Sequence, residues 1–127
     1  MRKGKKIIGG ILLAVLIVGL ALLFFVTRGL EEGKALVIND VNIQSLEDGI
    51  YQGEHEAGRW TNIVQVEVMD GEILSIQLLD GFEMKKVKEE IYGKVMEHQS
   101  VEVDVASGAT VSSKAYLKAI ENALIGE

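Results

Sequence analysis

The sequence predicts an α+β protein: a single N-terminal transmembrane helix, then a small domain in which a mostly antiparallel sheet is packed by two helices. Three observations predict it. Twenty uncharged, apolar residues run from Ile7 to Val26. Apolar and polar residues alternate on both sides of Asp70-Gly71, the two-residue period of strands. Beyond residue 82 the apolar spacing changes, twice, to the three-and-four period of helices. Strands, helix, strand, helix is an order that layers helices on one sheet. The expected boundaries are 1–6 for a cytoplasmic N-terminus, 7–26 for the span, 27–46 for a linker and 47–127 for the domain.

At a rise of 1.5 Å per residue, twenty residues make about 30 Å, the thickness of a bilayer core. A cleaved signal peptide would need a shorter apolar core and small residues at a cleavage site, whereas this core ends in Phe24-Phe25-Val26. The chain has no Cys, which excludes a lipoprotein anchor, disulfides and thiol chemistry. Arg2, Lys3, Lys5 and Lys6 precede the span, while Arg28 and Lys34 follow it among Glu31 and Glu32. That bias puts the N-terminus in the cytoplasm and the domain on the extracytoplasmic side. Beyond the span nine basic residues face 19 acidic ones, a net charge of −10. Such a domain repels nucleic acid and suits a cationic partner or simply a solvated acidic surface.

The domain opens at Asp48-Gly49, a turn signal before Ile50-Tyr51-Gln52-Gly53. Gly53 and Gly58 flank Glu54-His55-Glu56, which suggests a bend or bulge. In the hairpin, Val64, Val66 and Val68 should share a face with Leu74, Ile76 and Leu78. That requires Val66 opposite Leu74 and a three-residue loop, Met69-Asp70-Gly71. From Glu83 to about Gln99, Met84, Val87, Ile91, Val95 and Met96 form a helical stripe, weakened slightly by Gly93. Ser100-Val101-Glu102-Val103 alternates as a short strand. A last helix, Ala115 to Leu124, buries Tyr116, Ala119, Ile120 and Ala123, and Gly126 stops it.

Between that strand and that helix lies Asp104-Val105-Ala106-Ser107-Gly108-Ala109-Thr110, followed by Val111-Ser112-Ser113. A helix start leaves backbone N–H groups unpaired and carries partial positive charge, so the junction suits an anion. Gly108 and Ala109 leave room for a ligand, and Thr110 offers a hydroxyl. The plainer reading makes Thr110 a helix N-cap, with Ser113 standing in for the capping-box acid. It leaves Ser107-Gly108-Ala109 and Asp104 unexplained.

D-x-x-S-G-A-T followed by V-S-S and an Ala-rich helix resembles the flavinylation motif of the FMN-binding domain family. D-G-x-Y-x-G at 48–53 is similar to a common opening of that family, and the strand–turn–strand unit with D-G in the turn is shared. The resemblance covers roughly Leu46 to Leu124. It implies an electron carrier rather than an enzyme, with FMN joined by a phosphoester bond to the Thr110 hydroxyl by a separate flavin transferase that uses FAD. Asp104 would then orient the motif or help the transferase recognise it. The amides from Gly108 to Val111 would hold the phosphate, with Ser107 in the same loop and Ser112 and Ser113 as weaker contacts or helix starters. A membrane-borne electron donor and an unknown acceptor complete the expected partners. Members in large redox complexes carry much longer extracytoplasmic parts, so the resemblance implies a stand-alone carrier or minor subunit here. The alternatives are the same domain binding FMN reversibly and a cofactor-free, membrane-anchored adaptor with an acidic surface.

Trp60, Tyr51, Tyr92 and Tyr116 are candidates to stack on a flavin ring, each with core packing as the simpler role. His55, between Glu54 and Glu56, and His98, after Glu97, lack the spacing and third ligand of a metal site. No G-x-S-x-G, P-loop or EF-hand spacing occurs, and Ser107 lacks a nucleophile elbow.

Overall fold

The computed structural model describes the backbone of residues 2–126 and the side chains of 4–25, 30 and 32–126. It contains α1 (Arg2–Ala35), β1 (Gly49–His55), β2 (Asn62–Met69), β3 (Glu72–Gly81), α2 (Lys85–His98) and α3 (Thr110–Ile125). Met1 to Glu32 and the residues from Gly33 onward are separate units. In the first, Gly4–Phe25 is long and apolar enough to cross a membrane, and its large apolar side chains from Ile7 to Phe25 are exposed. The flanking side chains of Arg2, Lys3 and Val26 to Arg28 lie outside the described residues.

The second unit is an α+β domain. Its sheet is antiparallel throughout, in the order β1-β2-β3. Val64, Val66 and Val68 of β2 and Ile73 of β3 face inward, where they meet Ile91 and Val95 of α2 and Tyr116, Leu117, Ala119, Ile120, Ala123 and Leu124 of α3. Removing such side chains from water is the main stabilising term.

The hairpin departs from the expected register. Met69 pairs with Glu72, so the turn has two residues, Asp70 and Gly71, both at positive φ (52° and 74°). Both angles suit the mirror-image turn whose twist matches the strands. Carried through, that register would mix the faces. A bulge prevents it: Val68 pairs with Ile73 but Glu67 pairs with Ser75, leaving Leu74 as an extra residue. Phase is thereby restored, with Val66 opposite Ile76 and Val64 opposite Leu78. A second irregularity follows at Leu79, between the pairs Val64–Leu78 and Ile63–Asp80. Leu74 and Leu79 are accordingly exposed.

Gly53 has another role than a bend. β1 pairs with β2 from Gly49 to His55 without a register shift. A Cβ on Gly53 would fall 2.5 Å from the Ala119 carbonyl oxygen and closer still to the Ala123 amide nitrogen. The glycine lets α3 lie directly on the strand.

Ser100–Val103 is not a strand. The alternation survives as burial, Val101 fully inside and Glu102 exposed, but no ladder forms. One-sided burial needs only an extended backbone, whereas a strand also needs a free sheet edge alongside it. Gln99 also ends α2 in the left-handed region, φ 51°. Its amide donates to the Ile73 carbonyl (3.1 Å) and accepts the Ile73 N–H (2.6 Å), meeting both backbone groups of that residue.

Residues 33–46, expected within a linker, pack on the domain. Ile43 is in the core, with Ile38, Val41 and Leu46 against it. The Asn39 N–H donates to Glu121 Oε1 (2.6 Å), and the Lys34 and Val37 carbonyls accept the Lys114 and Lys118 ammonium groups. Glu121 is a buried carboxylate, 1% exposed, whose Oε2 lies 2.5 Å from Lys118 Nζ, an ion pair at angles outside hydrogen-bonding geometry. Residues from 33 to 41 therefore strap α3 from the side opposite the sheet.

Candidate functional site

The first turn of α3 is fixed from within. Ala109 donates its N–H to the Ala106 carbonyl (3.0 Å), closing a turn with Gly108 at φ 74°. A turn with positive φ at its third residue calls for glycine. Ser113 ties that turn to the helix. Its hydroxyl accepts the Ala106 N–H (3.0 Å), and its own N–H donates to the Ala109 carbonyl (2.9 Å). The Ser112 hydroxyl donates to Met84 Sδ (3.0 Å), at the residue preceding α2. Ser112 and Ser113 are buried, and both hydroxyls are engaged within the fold.

Thr110 is the first helical residue and not the cap. Ala109 holds the cap position and has no side chain to cap with, so no side chain satisfies the first amides. The N–H groups of Thr110, Val111 and Ser112 have no carbonyl one turn back to pair with. No acidic residue lies in the first turn. The Thr110 hydroxyl is half-exposed and has no hydrogen bond among the described residues; Ser107 and Gly108 are exposed and Ala109 half-exposed. Val111 is buried, and a Cβ on Gly33 would collide with its side chain. The result is an open helix start, electropositive through its backbone, with one free hydroxyl in it.

Of the eight residues singled out in the sequence, the structure brings together Ser107, Gly108, Ala109 and Thr110 with the amides of Val111 and Ser112. Asp104 is exposed; its carbonyl accepts Lys94 Nζ (3.0 Å), and its carboxylate makes no hydrogen bond among the described residues. The aromatic candidates separate clearly. Tyr116 is fully buried, stacked on Phe82 (4.4 Å between centroids) and met edge-on by Tyr92 (5.8 Å). Its hydroxyl donates to the Phe82 carbonyl (2.9 Å) and accepts the Met84 N–H (3.0 Å). Tyr51 bonds the Glu47 carbonyl (2.6 Å), and one face of Trp60 is covered by the Arg59 guanidinium at 4.3 Å.

Met84 was not visible as a site residue in the sequence. Its contact with Ser112 joins positions 28 apart, and no local pattern signals it. Nearby electrostatics are simple. Burial raises the Tyr92 phenol well above its usual range and raises Tyr116 too, against a lowering by the Met84 N–H bond. The Lys88 ammonium, bonded to Glu83 at 2.7 Å, lowers that carboxyl. No group of three or more His, Cys, Asp or Glu among the described residues is placed to hold a metal ion. A polar groove of about 440 Å³, lined by Asp40, Asn42, Gln44, Glu72, His98 and Gln99 among others, shares no residue with the 104–113 segment.

The arrangement can hold a phosphate at the amides and offers an alcohol to bond to it. No curated protein matches the chain. The FMN-binding domain family matches it over residues 27–125, from the end of the apolar stretch through α3 and including the strap. With most of its length inside that match, the chain belongs to the FMN-binding domain family.

Proposed function

We propose that this FMN-binding protein is a membrane-anchored, extracytoplasmic electron carrier whose FMN is bonded covalently to Thr110. The observation that carries the proposal is the free Thr110 hydroxyl at a helix start with three unpaired amides and no side-chain cap. In the bond-forming step the hydroxyl oxygen attacks the FMN-side phosphorus of FAD. The pyrophosphate bond breaks, AMP leaves, and the hydroxyl proton goes to solvent. A phosphodiester keeps one negative charge beside the unpaired amides, so the helix start stabilises substrate and product. A separate flavin transferase supplies the catalysis, and exposed Asp104 is available for its recognition.

Flavin supplies one- and two-electron chemistry, while the protein sets position and access. Attachment keeps the site filled where free FMN is dilute. The apolar Gly4–Phe25 segment, with basic residues ahead of it, supports an anchor with the domain outside. A donor borne in the same membrane then meets the site without three-dimensional search; the acceptor is a separate partner.

The test is the intact mass of the full chain co-expressed with a flavin transferase, beside Thr110→Ala and Thr110→Ser. The parent is expected to gain one FMN less one water, the alanine variant nothing, and the serine variant the same increment as the parent. Equal gain in the alanine variant removes Thr110 from the reading. Flavin that co-purifies but is released on denaturation makes the binding reversible, and a folded chain that never takes flavin supports the adaptor.

A further inference from the structure

Among the described residues, three buried side-chain atoms lack a hydrogen-bond partner: Asn62 Oδ1, Glu121 Oε2 and the Tyr92 hydroxyl. Glu121 has the Lys118 ammonium. The Asn62 amide at least donates to the Trp60 and Ala115 carbonyls, both at 3.1 Å. Tyr92 has nothing. Its ring meets Tyr116 edge-on, and the Tyr116 hydroxyl is already engaged by Phe82 and Met84. The Tyr116 ring that Tyr92 meets is itself stacked on Phe82 and bonded through its hydroxyl to Phe82 and Met84, which sets Tyr92 one ring away from the 82–84 segment. That segment touches the start of α3 through Met84 and Ser112, two residues past Thr110.

A buried O–H with no acceptor is costly, and phenylalanine would keep the ring packing without that cost. Burial raises the phenol further above its usual range, which favours the protonated, donating form. An unmet donor beside a cofactor site is accounted for when its acceptor belongs to the cofactor. We infer that the Tyr92 hydroxyl donates a hydrogen bond to an acceptor on the isoalloxazine ring of FMN, making it a ring-positioning residue. Met84, 44% exposed and unbranched, is able to repack against the ring as it arrives. The inference rests on the FMN reading and does not need the phosphoester at Thr110.

The experiment compares the full chain and Tyr92→Phe, each flavin-free and flavin-loaded, by thermal melting and by the visible flavin spectrum. Flavin-free, the variant should melt at or above the parent, by up to about 4 °C, because only an unsatisfied group is removed. Loaded, it should show displaced flavin bands and a smaller rise in melting temperature on loading. Tyr51→Phe is the control: its hydroxyl has the Glu47 carbonyl, so it should melt lower when flavin-free and leave the spectrum alone. An unchanged spectrum and an unchanged rise for Tyr92→Phe overturn the inference. So does a lower flavin-free melting temperature, which would mean the hydroxyl has a partner in the chain. A folded parent that takes up no flavin overturns the FMN reading itself, and this inference with it.

Discussion

Both helices of the domain begin after a residue whose side chain caps nothing, Met84 for α2 and Ala109 for α3, and neither has an acid in its first turn. From there they differ. α2 fully buries only Ile91 and Val95 of its 14 residues and keeps Lys85, Lys86, Glu89 and Glu90 in solvent. α3 buries eleven of 16, because the sheet, α2 and the 33–41 strap enclose it. Openings of a structure are drawn from its least-packed parts. The free hydroxyl therefore sits at the end of the more deeply packed of these two helices, and α2 is the one with less packing to lose.

Three substitutions would break or sharpen that contrast. Gly53→Ala should be the most damaging, since the added methyl meets the α3 backbone and no flexible side chain. A loss of about 3 kcal/mol or more is expected from such overpacking. The thermal melt of the full chain in detergent measures it; a melt like the parent's would mean that α3 is free to slide on β1. Ser113→Ala comes next. It leaves the buried Ala106 N–H without an acceptor, at a cost of about 1–2 kcal/mol. It should also slow flavin loading while Thr110 stays in place, because the Ser107–Ala109 turn loses its tie to α3. Loading at the parental rate would show that the turn needs no such tie. Gly93→Ala on α2 should have the smallest effect and the opposite sign. A Cβ there meets open space, so a gain of about 0.5–1 kcal/mol is expected in the same melt. A destabilisation would mean that α2 is packed as α3 is.

Residues 104–113 were legible as a helix start beside a small-residue turn because each requirement there is local. Gly108 serves a turn, and the amides follow from where a helix begins. The expected start at Ala115 was five residues late: apolar spacing is silent in Thr110-Val111-Ser112-Ser113, whose two serines are buried by tertiary bonds. The inward turn of Ser112 and Ser113 was not legible for the same reason. In the hairpin, alternation correctly put Val64, Val66 and Val68 on one face. It could not choose between a longer loop and a two-residue turn with a bulge at Leu74, since both restore the phase. The strap at 33–41 was missed because its partners, Lys114, Lys118 and Glu121, are about 80 residues away.

The two irregularities of β3 have a consequence for how copies of this protein behave together. β3 is an outer strand, and an outer strand offers unpaired backbone groups to any other chain. Between Leu74 and Leu79 only Ser75 to Leu78 stay in phase with β2, so the regular part of this edge is short and bounded by irregularities. Upstream of that stretch Gln99 already occupies the Ile73 N–H and carbonyl, standing in for a neighbouring strand. The protein thus blunts this edge with kinks and one side-chain amide, which guards against strand-to-strand aggregation when many copies are crowded together.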